Sequence, residues 1–289
     1  MTKRQITVII VTFNSEKYIE KCIKSVIGAI PENFASRIII LDNNSSDNTT
    51  SIVNTMIVKL QGVEFIENKQ NFGFAKAINI GIKNAQGSDY FLLLNPDTVS
   101  NKLSIVNLLK CAQEKNSGIT GGSTFGADGK ENGSFFRFPN LRIGIYDFTN
   151  IRKFDRSDKW HRNFYYLDMD FRNRQCFPVD VVTGGYMLIS SKTVKKIGFF
   201  DERYFMYLED VDYCYRATKA GVKIFHCIEA KIIHYSGRSS KNKDRIRHIS
   251  WILSRKKYFI KHFNLIINMI IQPLFIFDDL IILTRKFLK

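Results

Sequence analysis

Strand-like and helix-like segments alternate through the first hundred residues, and this alternation constrains the fold more than any other feature. Apolar runs with the length of buried strands lie at 6–13, 37–42, 63–68 and 90–95. Stretches with helical spacing of apolar residues separate them, at 15–30, 45–60 and 74–86. Strands that alternate with helices indicate a parallel sheet with right-handed crossovers and helices on both faces. We therefore predict an α/β fold.

Polar residues follow three of these predicted strands at the point where each strand ends. They are Thr12 and Asn14, then Asp42 with Asn43 and Asn44, then Asn95 with Asp97. In open α/β sheets, ligands bind outside the carboxyl ends of the strands. This edge is therefore the expected binding edge, and Asp97 is an expected ligand contact, although Asn-Pro-Asp is also ordinary turn chemistry.

A nicotinamide-dependent dehydrogenase shares this architecture and is the first competing function. Its glycine-rich turn should follow the first strand, because a close phosphate approach needs residues without side chains. The turn here, TFNSEKY, contains no glycine, and Gly73 follows a later strand outside any G-x-G-x-x-G pattern. The sequence therefore argues against a dinucleotide site.

The second half of the chain contains a dense carboxylate cluster in YLEDVDYCYR. A helix there would align Glu209, Asp212 and Arg216 along one side. Taken singly, acidic residues at a helix start are also typical of helix-dipole stabilisation. His234, which follows an apolar run, is by itself more typical of a structural, hydrogen-bonded histidine than of a ligand. Single motifs leave these alternatives open.

Seven motifs appear in a fixed order between residues 6 and 239. They are VIIVTFN, LDNNSSD, NFGFAKAINIG, LLLNPD, TGGYMLI, GFFDERYFMYLEDVDYCYR and HYSG. Together they resemble the inverting nucleotide-sugar glycosyltransferases of family 2, and within them the rhamnosyltransferase-like enzymes of bacterial surface-polysaccharide assembly, including O-antigen. The resemblance implies a GT-A fold, with a nucleotide-binding half at 1–100 and an acceptor half at 101–240. One mixed, mostly parallel central sheet flanked by helices joins the two halves.

The resemblance also implies which residues bind the donor. Base and ribose contacts fall to Thr12, Phe13, Asn14 and Asp42, and the donor pocket to Asn71, Gly73, Asn79 and Asn95. A carboxylate at position 42 can accept the imino hydrogen of uracil or thymine, which favours a pyrimidine-diphospho sugar. Arg216 is expected either to pair with Asp212 or to clamp the diphosphate.

The family's metal-binding aspartate motif becomes Asn95-Pro96-Asp97 in this chain. Asp97 would hold Mg²⁺ or Mn²⁺ against the donor's diphosphate, with one carboxylate fewer than usual. His234 matches the position of a further ligand, and an imidazole favours Mn²⁺. The resemblance thus implies a divalent-metal cofactor held by these two residues.

Inversion in a single displacement needs a base that takes the proton of the acceptor hydroxyl. The resemblance gives this role to Asp210, with Glu209 as the alternative. Gly184 and Gly185 would let the backbone approach the sugar or acceptor closely.

Residues 241–289 lie beyond the resemblance and are predicted to form a helical, membrane-associating tail. Nine Lys or Arg occupy 238–262 among apolar and aromatic residues, which is typical of a helix on an anionic membrane surface. The apolar segment that follows is interrupted by Asn268, Gln272, Pro273, Asp278 and Asp279. We therefore favour an interfacial or re-entrant anchor over a span, with a tail packed on the catalytic domain as the alternative.

Composition adds two expectations. A net charge of +16 attracts polyanions or anionic membranes, but no nucleic-acid-binding module is recognisable. The 5 Cys show no C-x-x-C pair, which argues against a disulfide framework and a zinc site and favours a reducing cytoplasm. The apolar stretch near the amino terminus is interpreted as the first strand and not as a signal peptide.

These features predict an enzyme at the cytoplasmic face of the cell membrane, peripherally associated with it. The first expectation is transfer of L-rhamnose from dTDP-rhamnose to a saccharide carried on a polyprenyl diphosphate. A family member that uses a UDP-hexose is the nearest alternative. A non-catalytic scaffold of a polysaccharide assembly complex is the alternative from another class.

Overall fold

A computed structural model describes residues 3–154, 158–171, 174–235 and 241–287. Its strands are β1 (Arg4–Thr12), β2 (Phe34–Asp42), β3 (Val63–Glu67), β4 (Tyr90–Leu94), β5 (Thr98–Ser100), β6 (Ile119–Phe125), β7 (Glu131–Asn132), β8 (Phe135–Phe136), β9 (Cys176–Pro178), β10 (Val181–Val182), β11 (Tyr186–Ser190) and β12 (Ile224–His234). Its α-helices are α1 (Ile19–Ile27), α2 (Thr49–Ile57), α3 (Phe74–Asn84), α4 (Ser104–Glu114), α5 (Leu141–Tyr146), α6 (Lys159–Phe164), α7 (Ser191–Ile197), α8 (Glu209–Lys219), α9 (Lys241–His262) and α10 (Leu265–Phe287), and a 3₁₀ helix covers Asn150–Phe154.

One mixed sheet runs through the molecule in the order β3-β2-β1-β4-β11-β6-β12-β5. Strands β3, β2, β1 and β4 are parallel, as their alternation with helices predicts. Strand β11 lies antiparallel between β4 and β6 and so joins the two halves of the chain. The predicted architecture, a mixed sheet flanked by helices, is confirmed.

Helices cover both faces of the sheet, which explains why its central strands are continuous apolar runs. Every residue of β1 from Ile6 to Thr12 is buried. Ile6, Val8 and Ile10 face a core that includes α1, whereas Ile9 and Val11 face the core built with α3 and α8. The sheet is therefore held rigidly from both sides.

The strand register brings the functional edge together. Thr12 at the end of β1 lies opposite Asp42 at the end of β2. On the other side of β1, Leu94 at the end of β4 lies opposite Tyr186 at the start of β11. The polar residues after β1, β2 and β4 therefore meet the Gly184-Gly185 turn that precedes β11.

The two tail helices pack on the rest of the molecule. Tyr258 and Phe259 of α9 and Ile271 and Phe275 of α10 are fully buried. Arg255, which is 1% exposed, binds the carboxylates of Asp278 and Asp279 and the carbonyl of Phe148. Two of the acidic interruptions in the apolar segment are thus internal ion-pair partners. The packed-tail alternative accounts for this side of the helices.

The outer side of α10 remains exposed and apolar. Ile266, Met269, Ile270, Phe277 and Leu280 recur at three-, four- and seven-residue intervals, and each is about half exposed or more. The segment Leu265–Ile282 is long and apolar enough to cross a membrane by length and composition alone, despite its polar interruptions. A large exposed apolar patch of this kind marks an interaction surface.

The positive charge of α9 is smaller at its surface than the sequence suggests. Lys256 pairs with Asp279, and Lys261 pairs with Asp201 and Asp212 at 2.7 and 2.5 Å. Together with Arg255, these cations fix helices to one another. The basic face expected for membrane binding is therefore partly a set of internal contacts.

The expectation that the chain holds no disulfide is wrong. Cys111 of α4 and Cys176 of β9 form a disulfide, although they are 65 residues apart in sequence. Cys227 lies beside them on β12. Helix α4 packs on β12 and β9 pairs with β12, which brings the two cysteines together, and linear spacing does not reveal this. The cysteine pattern therefore no longer indicates a reducing compartment.

Candidate active site

A cavity of about 950 Å³ opens at the carboxyl edge of the parallel strands. Most of the residues expected at the site line it, from both halves of the chain. They are Thr12, Phe13, Asn14, Asn71, Gly73, Asn95, Asp97, Gly184, Gly185, Glu209, Asp210 and His234. Its size is suited to a nucleotide-sized ligand.

The end of β1 is shaped by contacts with the loop after β2. Asn14 has a positive φ of 51°, and its side-chain oxygen accepts the backbone N–H of Ser46 at 2.7 Å. The hydroxyl of Thr12 lies in the cavity lining, is buried, and has no hydrogen-bond partner among the described residues. A buried hydroxyl without a partner has a desolvation cost that a bound polar ligand can remove.

Asp42 is not part of the cavity lining. Its carboxylate accepts the backbone N–H and the hydroxyl of Ser45, at 2.7 and 2.5 Å, and only 1% of the residue is exposed. Ser45 in turn accepts the backbone N–H of Asn14. Asp42 therefore holds the turn that presents Asn14, and the direct base contact expected of it stays a prediction.

Two further residues expected at the donor site lie outside the cavity lining. Asn79 is buried and bridges α3 to the segment before α8, through the backbone of Phe200 and the carboxylate of Glu202. Arg216 donates to Asp212 and to the carbonyl oxygens at positions 197 and 199. Of its two expected roles, the pair with Asp212 is present, and the diphosphate clamp stays a prediction.

Asp97 and His234 meet at the sheet edge. The imidazole Nε2 of His234 lies 3.0 Å from Asp97 Oδ1, and the amide nitrogen of Asn95 lies 3.4 Å from the same ring nitrogen. The backbone N–H of Tyr235 donates to the Asp97 carbonyl, which locks β12 to this turn. One carboxylate oxygen and one imidazole nitrogen are a donor set that fits a divalent cation which keeps its other positions for phosphates and water.

The Glu209-Asp210 pair begins α8 directly after a strained turn. Tyr207 and Leu208 both have positive φ, at 71° and 64°, which is unusual for residues with side chains. Such strain is typical of functional sites, where it fixes the direction of the next residues. The Asp210 carboxylate then accepts backbone N–H groups from Gly184 at 2.9 Å and Val211 at 2.8 Å.

The two carboxyl groups of this pair differ in their surroundings. Burial, and then repulsion from Asp210, raise the pKa of Glu209 well above its usual range. Burial also raises the pKa of Asp210, but the amide donors of Gly184 and Val211 oppose that rise. Since amide donors favour the ionised form of a carboxyl group, Asp210 is the member of the pair whose negative charge is better stabilised.

Close backbone contacts explain two of the glycines. A Cβ at Gly73, which has a φ of 81°, would lie 2.4 Å from the carbonyl oxygen of Phe205. A Cβ at Gly185 would lie 2.8 Å from the Asn95 amide nitrogen. At both positions the donor half of the cavity contacts the half that carries α8 at close range. A side chain at either position would push the two halves apart.

The cavity also contains residues that the sequence did not single out. Tyr207 and Arg247 line it, and the Arg247 Nε donates to the Tyr207 hydroxyl at 3.0 Å. Tyr18 lines it as well and stacks on Tyr235, with ring centroids 5.1 Å apart. Tyr207 stood inside a motif already quoted, whereas Arg247 lies on α9, where nothing in the local pattern distinguishes it from other basic residues.

Comparisons with known proteins identify the family of this chain. The sequence matches Glycosyl transferase family 2 over residues 7–198. Rhamnosyltransferase WbbL of Escherichia coli (strain K12) is 26% identical over 244 residues, covering 81% of this chain and 85% of that protein. The N-acetylglucosaminyl-diphospho-decaprenol L-rhamnosyltransferase of Mycobacterium tuberculosis (strain CDC 1551 / Oshkosh) is 25% identical over 255 residues, covering 84% of this chain and 80% of that protein.

Structural similarity supports the same assignment at the level of the fold. The crystal structure of GalNAc-T7 with UDP, GalNAc and Mn²⁺ superposes with a TM-score of 0.61 at 15% identity, over 80% of this chain and 44% of that one. The GT-A fold expected from the motifs is therefore present. Both the sequence match and the fold lead to one conclusion: this chain is a member of glycosyl transferase family 2.

Proposed function

We propose that this protein is an inverting glycosyltransferase that moves L-rhamnose from dTDP-rhamnose to a saccharide carried on a polyprenyl diphosphate. The observation that carries the proposal is the convergence of the Glu209-Asp210 pair and the Asp97-His234 pair in one cavity. A base for the acceptor and a binding site for a diphosphate are the two functions that such a transfer needs. The rhamnosyltransferase relatives support the sugar.

The donor nucleotide is proposed to lie along the ends of β1 and β4. Thr12 offers a buried hydroxyl, and Phe13 a ring on which a pyrimidine can stack. Asp97 and His234 would hold a divalent cation, with Mn²⁺ favoured by the imidazole. Such a cation would supply Lewis-acid stabilisation of the departing nucleoside diphosphate.

Asp210 is proposed to accept the proton of the attacking hydroxyl. The amide groups of Gly184 and Val211 orient its carboxylate, so that its position is fixed before the acceptor arrives. The pKa of Glu209 is raised by burial and by repulsion from Asp210, which favours the protonated form of Glu209 beside the base. The acceptor oxygen then forms the new bond to the anomeric carbon as the bond to the nucleoside diphosphate breaks, which inverts the configuration.

A lipid-linked acceptor is supported by the decaprenol-linked substrate in the mycobacterial relative's name and by the exposed apolar face of α10. We propose that this face lies on the cytoplasmic surface of the cell membrane. Replacing Ile270 and Phe277 with Asp should shift the full chain from the membrane fraction to the soluble fraction. The matched control is the exposed Val58 of the nucleotide half, changed to Asp. Unchanged pelleting of the double variant would contradict membrane contact through α10.

A UDP-hexose donor remains the second candidate, because GalNAc-T7 was solved with UDP on the same fold. The test is mass spectrometry of products formed from dTDP-rhamnose and from a panel of UDP-hexoses, with lipid-linked acceptors. Addition of a deoxyhexose mass only with dTDP-rhamnose supports the proposal. Transfer only from a UDP-hexose replaces the donor, and no nucleoside diphosphate release with any pair favours a non-catalytic scaffold.

A further inference from the structure

We infer that a groove along α9 binds the first part of the acceptor's polyprenyl chain and delivers its diphosphate to the active-site cavity. This inference deepens the proposed function and rests on its lipid-linked acceptor. The occupant is a polyprenyl diphosphate, not a membrane phospholipid and not a peptide. Three features support this occupant: the apolar lining of the groove, its position beside the cavity and the guanidinium at their junction.

The groove has a volume of about 280 Å³ and is lined mainly by apolar side chains. Phe205 forms its wall on the loop before α8, and Ile246, Ile249 and Leu253 contribute one face of α9. These three α9 residues are 41%, 44% and 47% exposed, so their apolar surface is open to a ligand. The size is suited to a short length of hydrocarbon and not to a folded partner.

The groove adjoins the active-site cavity. Phe205 and Ile246 line both spaces, so a chain bound in the groove would end beside the cavity. Two contacts keep α9 against this loop: the Ser254 hydroxyl donates to the Met206 carbonyl at 2.9 Å, and Lys257 donates to the Arg203 carbonyl. These contacts hold the groove in a fixed position relative to the segment that carries Asp210.

Positive charge lies where the two spaces meet. Arg247 lines the cavity one residue beyond Ile246 and is oriented by its hydrogen bond to Tyr207. An amphiphile with a hydrocarbon chain and a diphosphate head matches an apolar groove that ends at a guanidinium. Since Arg binds phosphates through several N–H groups at once, this junction favours a diphosphate over an uncharged lipid end.

The groove is tested by direct binding of farnesyl diphosphate to the full chain, with dTDP and Mn²⁺ saturating the donor site. Farnesyl diphosphate should bind at least about tenfold more tightly than inorganic pyrophosphate, since only the former places apolar surface in the groove. Leu253→Asn should remove about tenfold of that affinity. Ile260→Asn is the matched control, because Ile260 is on the same helix and is 62% exposed, yet does not line the groove.

The outcomes test the lipid-binding groove independently of the proposed function. Equal binding by wild type and Leu253→Asn, or an equal loss in Ile260→Asn, overturns the groove. Equal affinity for dihexanoyl phosphatidic acid also overturns it, because the surface would then be a general lipid contact. If dTDP itself does not bind, the proposed donor fails, and the same farnesyl diphosphate comparison without dTDP still decides the groove.

Discussion

The first turn of α8 shows how surroundings assign different roles to similar carboxylates. Glu209 and Asp210 begin α8 and line the cavity, and the pKa of each is raised by burial. Asp212 lies two residues further on, is fully buried, and has Arg216, Lys261 and His262 within 2.9 Å. Burial alone would raise the pKa of Asp212, but hydrogen bonds from these three residues lower it.

A catalytic and a structural carboxylate therefore lie within four consecutive positions of the sequence, 209 to 212. A carboxylate that accepts hydrogen bonds from two cations and an imidazole is a poor base, since its proton affinity is low and its oxygens are engaged. The Asp210 carboxylate is oriented by backbone amides and lines the cavity, where a substrate can reach it. The comparison therefore predicts activity defects on one side of α8 and stability defects on the other.

The largest effect is expected at Asp210. Asp210→Asn keeps the size and hydrogen-bonding shape of the side chain but removes the base, so turnover should fall by roughly 10² to 10⁴. Donor binding, measured by calorimetry with dTDP, should stay close to that of the wild type. Glu209→Gln is the matched control and should cost much less, because Glu209 is expected to hold its proton already. If Glu209→Gln abolishes transfer while Asp210→Asn retains it within about tenfold, the base is Glu209.

The opposite side of the helix should respond in stability. Asp212→Asn removes the carboxylate bound by Arg216 and His262 and leaves Lys261 with Asp201 alone. Losing one partner of a buried ion pair costs about 3–5 kcal/mol. The free energy of unfolding from urea titration measures it. Activity below the unfolding transition should change far less than in Asp210→Asn, and a variant as stable as the wild type would contradict the structural role.

The same contacts of Asp212 determine whether the free energy of unfolding rises or falls at acid pH. The pKa of Asp212 is lowered in the folded state. Its contribution to the free energy of unfolding is therefore present above the ordinary aspartate pKa and is lost as pH falls through the lowered pKa. Asp212→Asn should therefore reduce the stability difference between neutral and acid pH.

A smaller effect is expected away from α8, at the Asp97-His234 pair. Replacing either with Ala should weaken metal-dependent donor binding by about 10 to 100-fold and leave the fold intact. Donor affinity measured with and without chelator tests this. Wild-type affinity that is indifferent to chelator would remove the basis for both assignments.

The features that could be predicted from the sequence are those that depend on residues close together in the chain. Strands β1 to β4 and helix α3 lie within a few residues of their predicted bounds, because apolar periodicity is a local signal. The edge of the sheet at which the cavity lies was also predictable, because ligands bind at the carboxyl ends of parallel strands.

The rest depended on partners distant in the chain. Asp212 is distinguished from Asp210 by Lys261 and His262, about fifty residues away, and no spacing rule connects them. Asp278 looked like an interruption of an apolar segment until Arg255 appeared beside it. Burial and pairing of this kind are properties of the folded chain.

The most direct test of the comparison is a titration of the carboxyl carbons of Asp210 and Asp212. Carbon-13 NMR of chain labelled at aspartate, with Asp210→Asn and Asp212→Asn used for assignment, gives both pKa values in one sample. The pKa of Asp210 should lie above the ordinary aspartate value of about 3.9, and that of Asp212 below it. If Asp210 titrates at or below the pKa of Asp212, the division of α8 into a catalytic and a structural side is wrong.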